Sequence, residues 1–293
     1  MIQGLVMLFA VSAIVFALLA SAGGDAFTSL RDNPQISEQT IEKMRRVYGL
    51  DRPLPVRFAK WIGSAATGDL GESMYFRAPV GGLIWRRALD TAVLGILALL
   101  LASIVAAVLS FLSARYPSRT LERLIETIVL LTASAPRIVL ALIGLALAVR
   151  IGVAGNSTVM LFLAAGVLAV PVISLFLAQF HEELRQAMNA DFVQLARAKG
   201  LSERIVIVRH ASRAALDPVL TVFGLSLGAL LGGSVIVEAV LGRSGIGTLM
   251  VTAVTSRDVP LVMGIVLTAS TAVWAGNAAA EILQAVNDKR IRG

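Results

Sequence analysis

Long apolar runs separated by charged stretches set the pattern of this sequence. A helix needs about 20 mainly apolar residues to cross the hydrocarbon core of a bilayer, and six runs reach or approach that length. Five of them carry no charge, and the sixth carries a single arginine, Arg137. The runs cover residues 2–22, 92–112, 127–149, 153–180, 219–237 and 261–280.

None of these runs alternates apolar with polar residues, as the strands of a membrane barrel would. Lipid offers no hydrogen-bond partner to the backbone, so each run is expected to form a helix. The run at residues 2–22 has no basic residue before it, which favours a retained first span over a cleaved signal sequence. The pattern therefore predicts an all-α integral membrane protein with six transmembrane helices.

The composition agrees with a membrane protein. Of the 293 residues, 57% are hydrophobic and only 15% are charged, whereas soluble domains carry about 25% charged residues. The chain has no cysteine, which excludes disulfides and thiolate chemistry. Its net charge of +7 suits anionic lipid at the inner membrane surface. Nucleic-acid binding is the weaker interpretation, because no soluble domain exists to present a basic face.

Lysine and arginine are distributed unequally between the two sides of the predicted spans. The short loops and tail of one side carry them at 115, 119, 123, 185, 197, 199, 204, 209, 213, 289, 290 and 292, and those of the other side at 150, 243 and 257. The positive-inside rule then places both termini and the segment 181–218 in the cytoplasm. Three parts follow: a first transmembrane helix at 1–22, an extracytoplasmic helical segment at 23–87, and a five-helix core at 88–293 that includes the cytoplasmic segment.

Residues 23–87 carry patterns of their own. Ser37 is predicted to cap a short amphipathic helix that ends at Gly49, with Ile36 and Ile41 closing a hydrophobic staple. After a proline-rich turn, apolar and aromatic residues between 56 and 62 predict a second short helix. The two helices either form a lid or collar on the outer face or only cover the bundle.

The polar segment 181–218 is too long to be a mere turn between two spans. Asp191 is predicted to cap a first helix, which ends at Gly200. Ser202 is predicted to cap a second helix, which ends at residues 217–218, where an aspartate precedes a proline. The segment is thus expected to fold as helix, glycine, helix.

The first of these helices has the features of a docking element. Phe192, Leu195 and Ala196 are expected on one side of it, and the helix also carries small and basic side chains. Small residues permit close approach, so such a helix can lie in a groove of a partner protein. An amphipathic connector is the alternative. The candidate docking residues are Phe192, Leu195, Ala196, Arg197, Ala198, Lys199, Gly200 and Leu201.

Several stretches resemble one family, in the order expected along the chain. Residues 192–201, followed by 209–220, are similar to the coupling loop of ABC importer permeases of the dipeptide, oligopeptide and nickel branch. Further stretches resemble the same branch, so the resemblance covers almost the whole length. They are Gly24-Asp25, Tyr48-Gly-Leu-Asp-Arg-Pro-Leu-Pro-Val56, Gly68-Asp-Leu-Gly71, Val237-Glu238 and Gly242-Arg-Ser-Gly-Ile-Gly-Thr-Leu249.

The resemblance implies a type I ABC importer permease subunit in a bacterial-type plasma (inner) membrane. Such a subunit pairs with a second, homologous permease, two cytoplasmic ATPases and an extracytoplasmic solute-binding protein. Residues 195–201 would lie in a cleft of one ATPase. ATP and Mg would be bound by the ATPases, so this chain is expected to bind no cofactor and to have no catalytic residue. Independently of the resemblance, no lysine of the chain lies in a Walker A context.

The chain departs from the family pattern at three places. It starts at Met1-Ile-Gln-Gly without the basic residues that usually precede the first span, as a truncated or wrongly assigned start would. Ala214 stands where a proline is common, so the second cytoplasmic helix is expected to be straighter. Leu89-Asp90 replaces the usual Pro-Ala before the second span.

Three glycines in the fifth run are candidates for helix packing. Gly224, Gly228 and Gly232 recur at every fourth residue, which puts them on one stripe of a helix. Small residues at this spacing permit close approach of another helix in lipid. The neighbour is either a helix of this chain or one of a partner permease.

Two polar residues within the spans are candidates for the substrate path. A charge facing lipid is costly, so Arg137 is expected to face the interior of the bundle. It either lines the path and attracts the carboxylate of a peptide, or forms an internal ion pair or hydrogen bonds with carbonyls freed near Pro136. Asn277 is the weaker candidate, because a lone asparagine in a span more often forms an interhelical hydrogen bond.

Other functional classes fit the sequence less well. The stretch His181-Glu-Glu-Leu-Arg185 nearly matches the zinc protease motif, but an arginine stands in place of the second histidine, so no metal site is predicted. A secondary transporter driven by an ion gradient is the alternative function, and it should show inverted repeats, of which none is convincing here. A membrane-embedded hydrolase would need clustered nucleophile, base or metal ligands, which the apolar runs lack.

Overall fold

The computed structural model describes residues 2–23, 27 and 37–287, and helices make up most of this part of the chain. They are α1 (Ile2–Ser21), α2 (Glu38–Val47), α3 (Leu54–Ala66), α4 (Val80–Arg115), α5 (Arg119–Ser134), α6 (Arg137–Arg150), α7 (Ser157–Met188), α8 (Asp191–Ala198), α9 (Glu203–Ile205), α10 (Ser212–Val240), α11 (Ile246–Thr255) and α12 (Val259–Asn287). A π-helical turn (Val206–Ala211) joins α9 to α10. Two short strands, β1 (Glu72–Ser73) and β2 (Ala78–Pro79), form an antiparallel hairpin.

The described residues contain five helices that are long and apolar enough to cross a membrane, namely α1, α4, α7, α10 and α12. A sixth span exists if α5 and α6 count together, although the two are bent by 94° at the break between them. The all-α membrane fold predicted from the sequence is therefore confirmed. The run at residues 127–149, predicted as one helix, is in fact broken.

Pro136 explains this break. Proline has no backbone N–H to continue a helix, and it disfavours the helical conformation of the residue before it. Ala135 is accordingly extended, with φ −75° and ψ 116°, and Pro136 is the N-cap of α6. Arg137 is therefore the first residue of a new helix within the apolar run.

Pro218 does not end a helix, contrary to the prediction. The chain stays helical without a break from Glu203 through the π-helical turn to Val240. A proline inside a helix removes one backbone hydrogen bond. Membrane helices tolerate this loss, because local adjustments such as π-type turns and neighbouring groups satisfy the carbonyl that is freed. The segment predicted to stop at residues 217–218 is therefore continuous with the fifth long apolar helix.

One compact unit comprises Met1–Asp90 and Ser244–Ala272. Its main hydrophobic cluster is centred on Val80 and Leu261, both fully buried. The predicted helix α2 lies in this unit, and the Ser37 hydroxyl caps it by accepting a hydrogen bond from the backbone N–H of Thr40 at 3.3 Å. The predicted staple residue Ile36 and the Gly24-Asp25 motif lie outside the described residues.

A buried carboxylate holds the β1–β2 hairpin within this unit. Asp258 is 0% exposed, and one of its oxygens accepts hydrogen bonds from the Ser73 hydroxyl at 2.6 Å and from the backbone N–H of Tyr75 at 2.9 Å. Its other oxygen accepts a hydrogen bond from the backbone N–H of Leu261 at 3.2 Å, in the first turn of α12. One side chain therefore both caps α12 and fixes the hairpin.

The second compact unit comprises Thr91–Arg243 and Val273–Gly293. Its core is the helix α7, whose fully buried Leu168 and Leu177 belong to a hydrophobic cluster with residues of α4, α5, α6 and α10. A second cluster at the end of α7 includes Leu184, Val193 of α8 and Val206 of the π-helical turn. The short helix α8 is thereby packed onto the end of a long apolar helix.

Candidate functional site

The N-cap of helix α8 lies one residue before the position that the sequence predicted. The N-cap is Ala190, which is extended and offers no capping side chain, and Asp191 is the first residue of the helix. The prediction that Asp191 is the cap is therefore wrong. Its carboxylate still suits this position, because the first turn of a helix carries partial positive charge.

Two side chains attach α8 to the second unit. Val193 is 0% exposed and Ala196 is 5% exposed, and both belong to the cluster at the end of α7. The prediction that Ala196 lies on one side of the helix together with Phe192 and Leu195 is therefore wrong. Ala196 is an anchor, because only a small side chain at this position lets α8 lie close to its neighbours.

The opposite face of α8 is apolar and exposed. Phe192 is 44% exposed and Leu195 is 57% exposed. Gly200 has φ +76°, a left-handed conformation that favours glycine, and it ends the helix as predicted. Leu201 follows at 36% exposure, and Ala198 and Lys199 are also exposed. Packing of the inner face thus leaves an outward face with two large apolar side chains.

An ion pair across the turn after α8 was not predicted. The Arg197 guanidinium donates to both carboxylate oxygens of Glu203, at 2.6 Å from Nη2 and 3.2 Å from Nε. These hydrogen bonds hold the pKa of the Glu203 carboxyl below its usual value and raise that of Arg197. Opposite charges on either side of Gly200 were the sequence signal for this pair. Arg197 therefore has a structural partner of its own, whereas Lys199 has none among the residues that the structure describes.

The predicted glycine stripe of α10 packs unevenly. A Cβ at Gly224 would lie 2.7 Å from Oδ1 of Asn277 and 3.2 Å from Cβ of Ala280, so α12 approaches the helix backbone closely there. A Cβ at Gly228 would make ordinary contact with Val273 at 3.8 Å, and one at Gly232 would meet no described atom within 4 Å.

Gly276 of α12 is a contact glycine that the sequence analysis missed. A Cβ there would overlap the side chain of Leu227 on α10. Within the described residues, the close approach thus involves one glycine from each helix, Gly224 and Gly276, and not Gly232. The Asn277 side chain, predicted as a weak candidate for the substrate path, faces this helix contact.

Arg137 lies against another glycine of α10 that the sequence analysis missed. It is half-buried, and its guanidinium sits over Gly233, where a Cβ would lie 2.6 Å from Nη1. Among the described residues, the guanidinium makes no hydrogen bond or ion pair. The internal ion pair considered for Arg137 therefore has no partner in this part of the chain.

Comparison with known proteins identifies the family of this chain. The family described as "Binding-protein-dependent transport system inner membrane component" matches residues 106–293, which include α8 and Arg137. The chain is 32% identical to a protein of Brucella suis biovar 1 that is provisionally named as a peptide permease, over 99% of this chain and 96% of that protein.

Two further relatives cover the chain almost completely. The oligopeptide transport system permease protein AppB of Bacillus subtilis is 31% identical, over 97% of this chain and 95% of its own length. The glutathione transport system permease protein GsiC of Escherichia coli K12 is 32% identical, over 97% of this chain and 94% of its own length. These matches favour an ABC importer over a transporter driven by an ion gradient. The chain therefore belongs to the family of binding-protein-dependent transport system inner membrane components, the permease subunits of ATP-driven ABC importers.

Proposed function

We propose that this permease forms the translocation path for peptides or related small solutes and works by alternating access. It would assemble with a second, homologous permease, two ATPases and an extracytoplasmic solute-binding protein. The ATPases would bind ATP and Mg and perform the hydrolysis, while this chain would perform no chemistry. Peptide as the substrate class is supported by the names of the relatives, which refer to peptides, oligopeptides and glutathione.

The outward face of α8 is the observation that carries this proposal. Phe192 and Leu195 are large apolar side chains held on a packed helix, and both are substantially exposed. Exposed apolar anchors on a rigid helix suit the helix-in-groove mode of recognition. The groove would belong to an ATPase, so that movement of the ATPases is transmitted through α8 to the end of α7. Val193 and Ala196 would transmit it, because they join α8 to that cluster.

The proposed orientation puts α8 and both termini in the cytoplasm. The exposed basic residues at 115, 119, 123, 185, 197, 199, 204, 209 and 213 support it, since they lie near one end of the apolar helices. Three further basic residues on which the predicted orientation depends, at 289, 290 and 292, lie outside the described residues. The segment around α2 and α3 would then be extracytoplasmic.

The function can be tested by reconstitution of the complete complex in liposomes. Radiolabelled dialanine should enter the liposomes when ATP is supplied on the side of the ATPases, and should not enter with a non-hydrolysable ATP analogue. The permease purified alone should show no ATPase activity. Uptake by the permease alone, driven by a proton or sodium gradient without ATP, would contradict the proposal.

Arg137 is proposed as part of the substrate path, where it would bind the carboxylate of a peptide. A cation within an apolar run is costly unless it meets a counter-charge, polar groups or water. The described residues provide no such counter-charge, and Gly233 leaves room for the guanidinium on the backbone of α10. In other transporters, broken helices with their N-terminal ends towards anionic groups of the substrate serve the same purpose. A peptide carboxylate would supply the missing charge.

Replacing Arg137 by glutamine is expected to lower the uptake of dialanine by about 10-fold to 100-fold. The reason is that a hydrogen bond to a charged group contributes about 1.5–3 kcal/mol, and 1.4 kcal/mol is a factor of ten. Uptake of C-terminally amidated dialanine should change little, and Arg137→Lys should retain more activity than Arg137→Gln. Arg150→Gln, at the exposed end of the same helix, is the matched control. Equal losses for the free and amidated peptides would contradict this role.

A further inference from the structure

Two sequence motifs that lie outside the proposed docking helix α8 line one cavity of the first unit. The motif at residues 48–56 contributes Tyr48, Gly49, Leu50 and Arg52, and the motif at residues 68–71 contributes Asp69 and Gly71. The cavity has a volume of about 390 Å³, within the range of about 300–1,000 Å³ that is usual for small-molecule sites.

Helix α3 forms one wall of this cavity with a single stripe of side chains. Arg57, Lys60, Trp61 and Ser64 all line it, and their spacing of three and four residues puts them on one face of the helix. Two of the four are cationic. This wall therefore offers positive charge together with hydroxyl and indole donors.

The lining also contains two carboxylates from a different segment. Asp69 precedes strand β1, and Glu72 is the first residue of that strand. One oxygen of Asp69 accepts a hydrogen bond from the backbone N–H of Gly71 at 2.9 Å. The side chains of Glu72 and Lys60 make no hydrogen bond or ion pair with any other described residue. Lys60 and Glu72 thus give the cavity one cationic and one anionic side chain that are not paired with each other.

Trp61 adds a donor that lacks an acceptor. Its Nε1 is buried and has no hydrogen-bond partner among the described residues. A buried donor without an acceptor costs about 1–3 kcal/mol, and most buried donors in proteins have an acceptor. A bound molecule that supplies an acceptor would therefore be stabilised here. Arg57 is meanwhile held over the ring of Phe16, with its guanidinium carbon 5.8 Å from the ring centre. Aromatic and cationic groups are therefore arranged on the same wall.

We propose that this cavity binds a short peptide in its zwitterionic form. The carboxylate would lie at the α3 wall, near Lys60, Arg57 and the Trp61 N–H, and the ammonium group would lie near Asp69 and Glu72. A ligand that carries both charges satisfies both walls, whereas a simple anion or cation satisfies only one. The choice of a peptide rests on the proposed function, but the binding itself needs neither ATP nor translocation. With the outer segment on the extracytoplasmic side, the cavity receives the substrate before it enters the path.

Binding can be measured on the full chain alone in lipid nanodiscs, with radiolabelled dialanine as the probe. N-acetyl-dialanine and dialanine amide, each lacking one charge, are expected to compete at least about tenfold less well than unlabelled dialanine, since a lost charge-assisted contact is worth about that factor. Equal competition by all three, or no binding of dialanine, would overturn the proposal.

Variants locate the site within the chain. Lys60→Ala, Glu72→Gln and Trp61→Phe are each expected to weaken dialanine binding by about tenfold, because each removes one charged contact or one donor. Lys43→Ala and Glu38→Gln are the matched controls, because both positions are exposed on α2 and do not line the cavity. Dialanine binding should be unchanged in both. Unaltered binding in all three cavity variants, with the controls also unaltered, would overturn the proposal.

A lipid headgroup that carries an ammonium and a phosphate is the other source of the same chemistry. Dialanine binding should therefore be compared in nanodiscs of phosphatidylglycerol and in nanodiscs that also contain phosphatidylethanolamine. Equal binding supports the peptide site, and binding lost with phosphatidylethanolamine would assign the cavity to the headgroup instead. Dialanine binding to the permease without ATP-driven uptake by the complete complex would contradict the proposed function but not the proposed binding site.

Discussion

Leu195→Asp is expected to reduce ATP-driven uptake by about 100-fold or more, with loss of the ATPases from the purified complex. Leu195 is 57% exposed, so its side chain contributes little to the fold of the permease itself. In a docked complex the same position would be buried in an apolar groove. A carboxylate there would lose its hydration without a counter-charge, at a cost of several kcal/mol. Copurification of the ATPases with a tagged permease measures the effect, together with uptake by liposomes.

Val56→Asp provides the matched control for this substitution. Val56 is an apolar residue on α3, 47% exposed, in the segment proposed to be extracytoplasmic, and it does not line the cavity proposed to bind a peptide. It receives the same new charge, but not at the ATPase interface, and should leave both association and uptake unchanged. Normal association and uptake in Leu195→Asp would rule out the outward face of α8 as the docking surface.

The charged residues of the docking segment do not test the same contact. Arg197 is paired with Glu203, so its replacement would also loosen the turn that follows α8. Lys199 is exposed and has no such partner among the described residues. A charge reversal at Lys199 is thus a cleaner test of docking electrostatics than one at Arg197. Its effect should be smaller than that of Leu195→Asp, because exposed charge pairs contribute only about 0–1 kcal/mol.

The spans and the helical segments could be predicted from the sequence because each depends on local properties. Apolar run length identified five long helices, and the caps at Ser37 and Gly200 depend on single residues and their neighbours. The break before Arg137 occurs at Pro136, which stands inside the run. The apolar run alone, however, does not say whether a proline ends a helix, as Pro136 does, or is accommodated within it, as Pro218 is.

The details of the candidate site depend on contacts between distant residues, which one sequence does not specify. Helical spacing puts Ala196 close to Leu195 on the surface of α8, and only the packing of α7 shows that Ala196 is the buried one. In the same way, the regular spacing of Gly232 predicts a contact. The close contact is instead at the neighbouring Gly233, which lies against the Arg137 guanidinium of α6.

Asp258→Ala is the substitution with the largest expected effect on stability in the described part of the chain. Replacing it by alanine removes the acceptor of three hydrogen bonds, from the Ser73 hydroxyl and from the backbone N–H groups of Tyr75 and Leu261. Stranding buried donors costs about 1–3 kcal/mol each, and loss of a helix cap about 1 kcal/mol. The free energy of unfolding of the first unit should therefore fall by about 3–5 kcal/mol, since partial relaxation and water recover some of the sum.

Hydrogen exchange gives the measurement for Asp258→Ala, because it reports the backbone groups that the carboxylate holds. The amides of Tyr75 and Leu261 should lose protection together, although they belong to a hairpin and a helix that are far apart in sequence. Asp258→Asn keeps one carbonyl acceptor and should lose less protection than the alanine variant. Asp51→Ala, in an exposed turn of the same unit, should leave both amides protected. Unchanged exchange at both amides in Asp258→Ala would mean that the hairpin and α12 are held by apolar packing alone, and that the carboxylate does not join them.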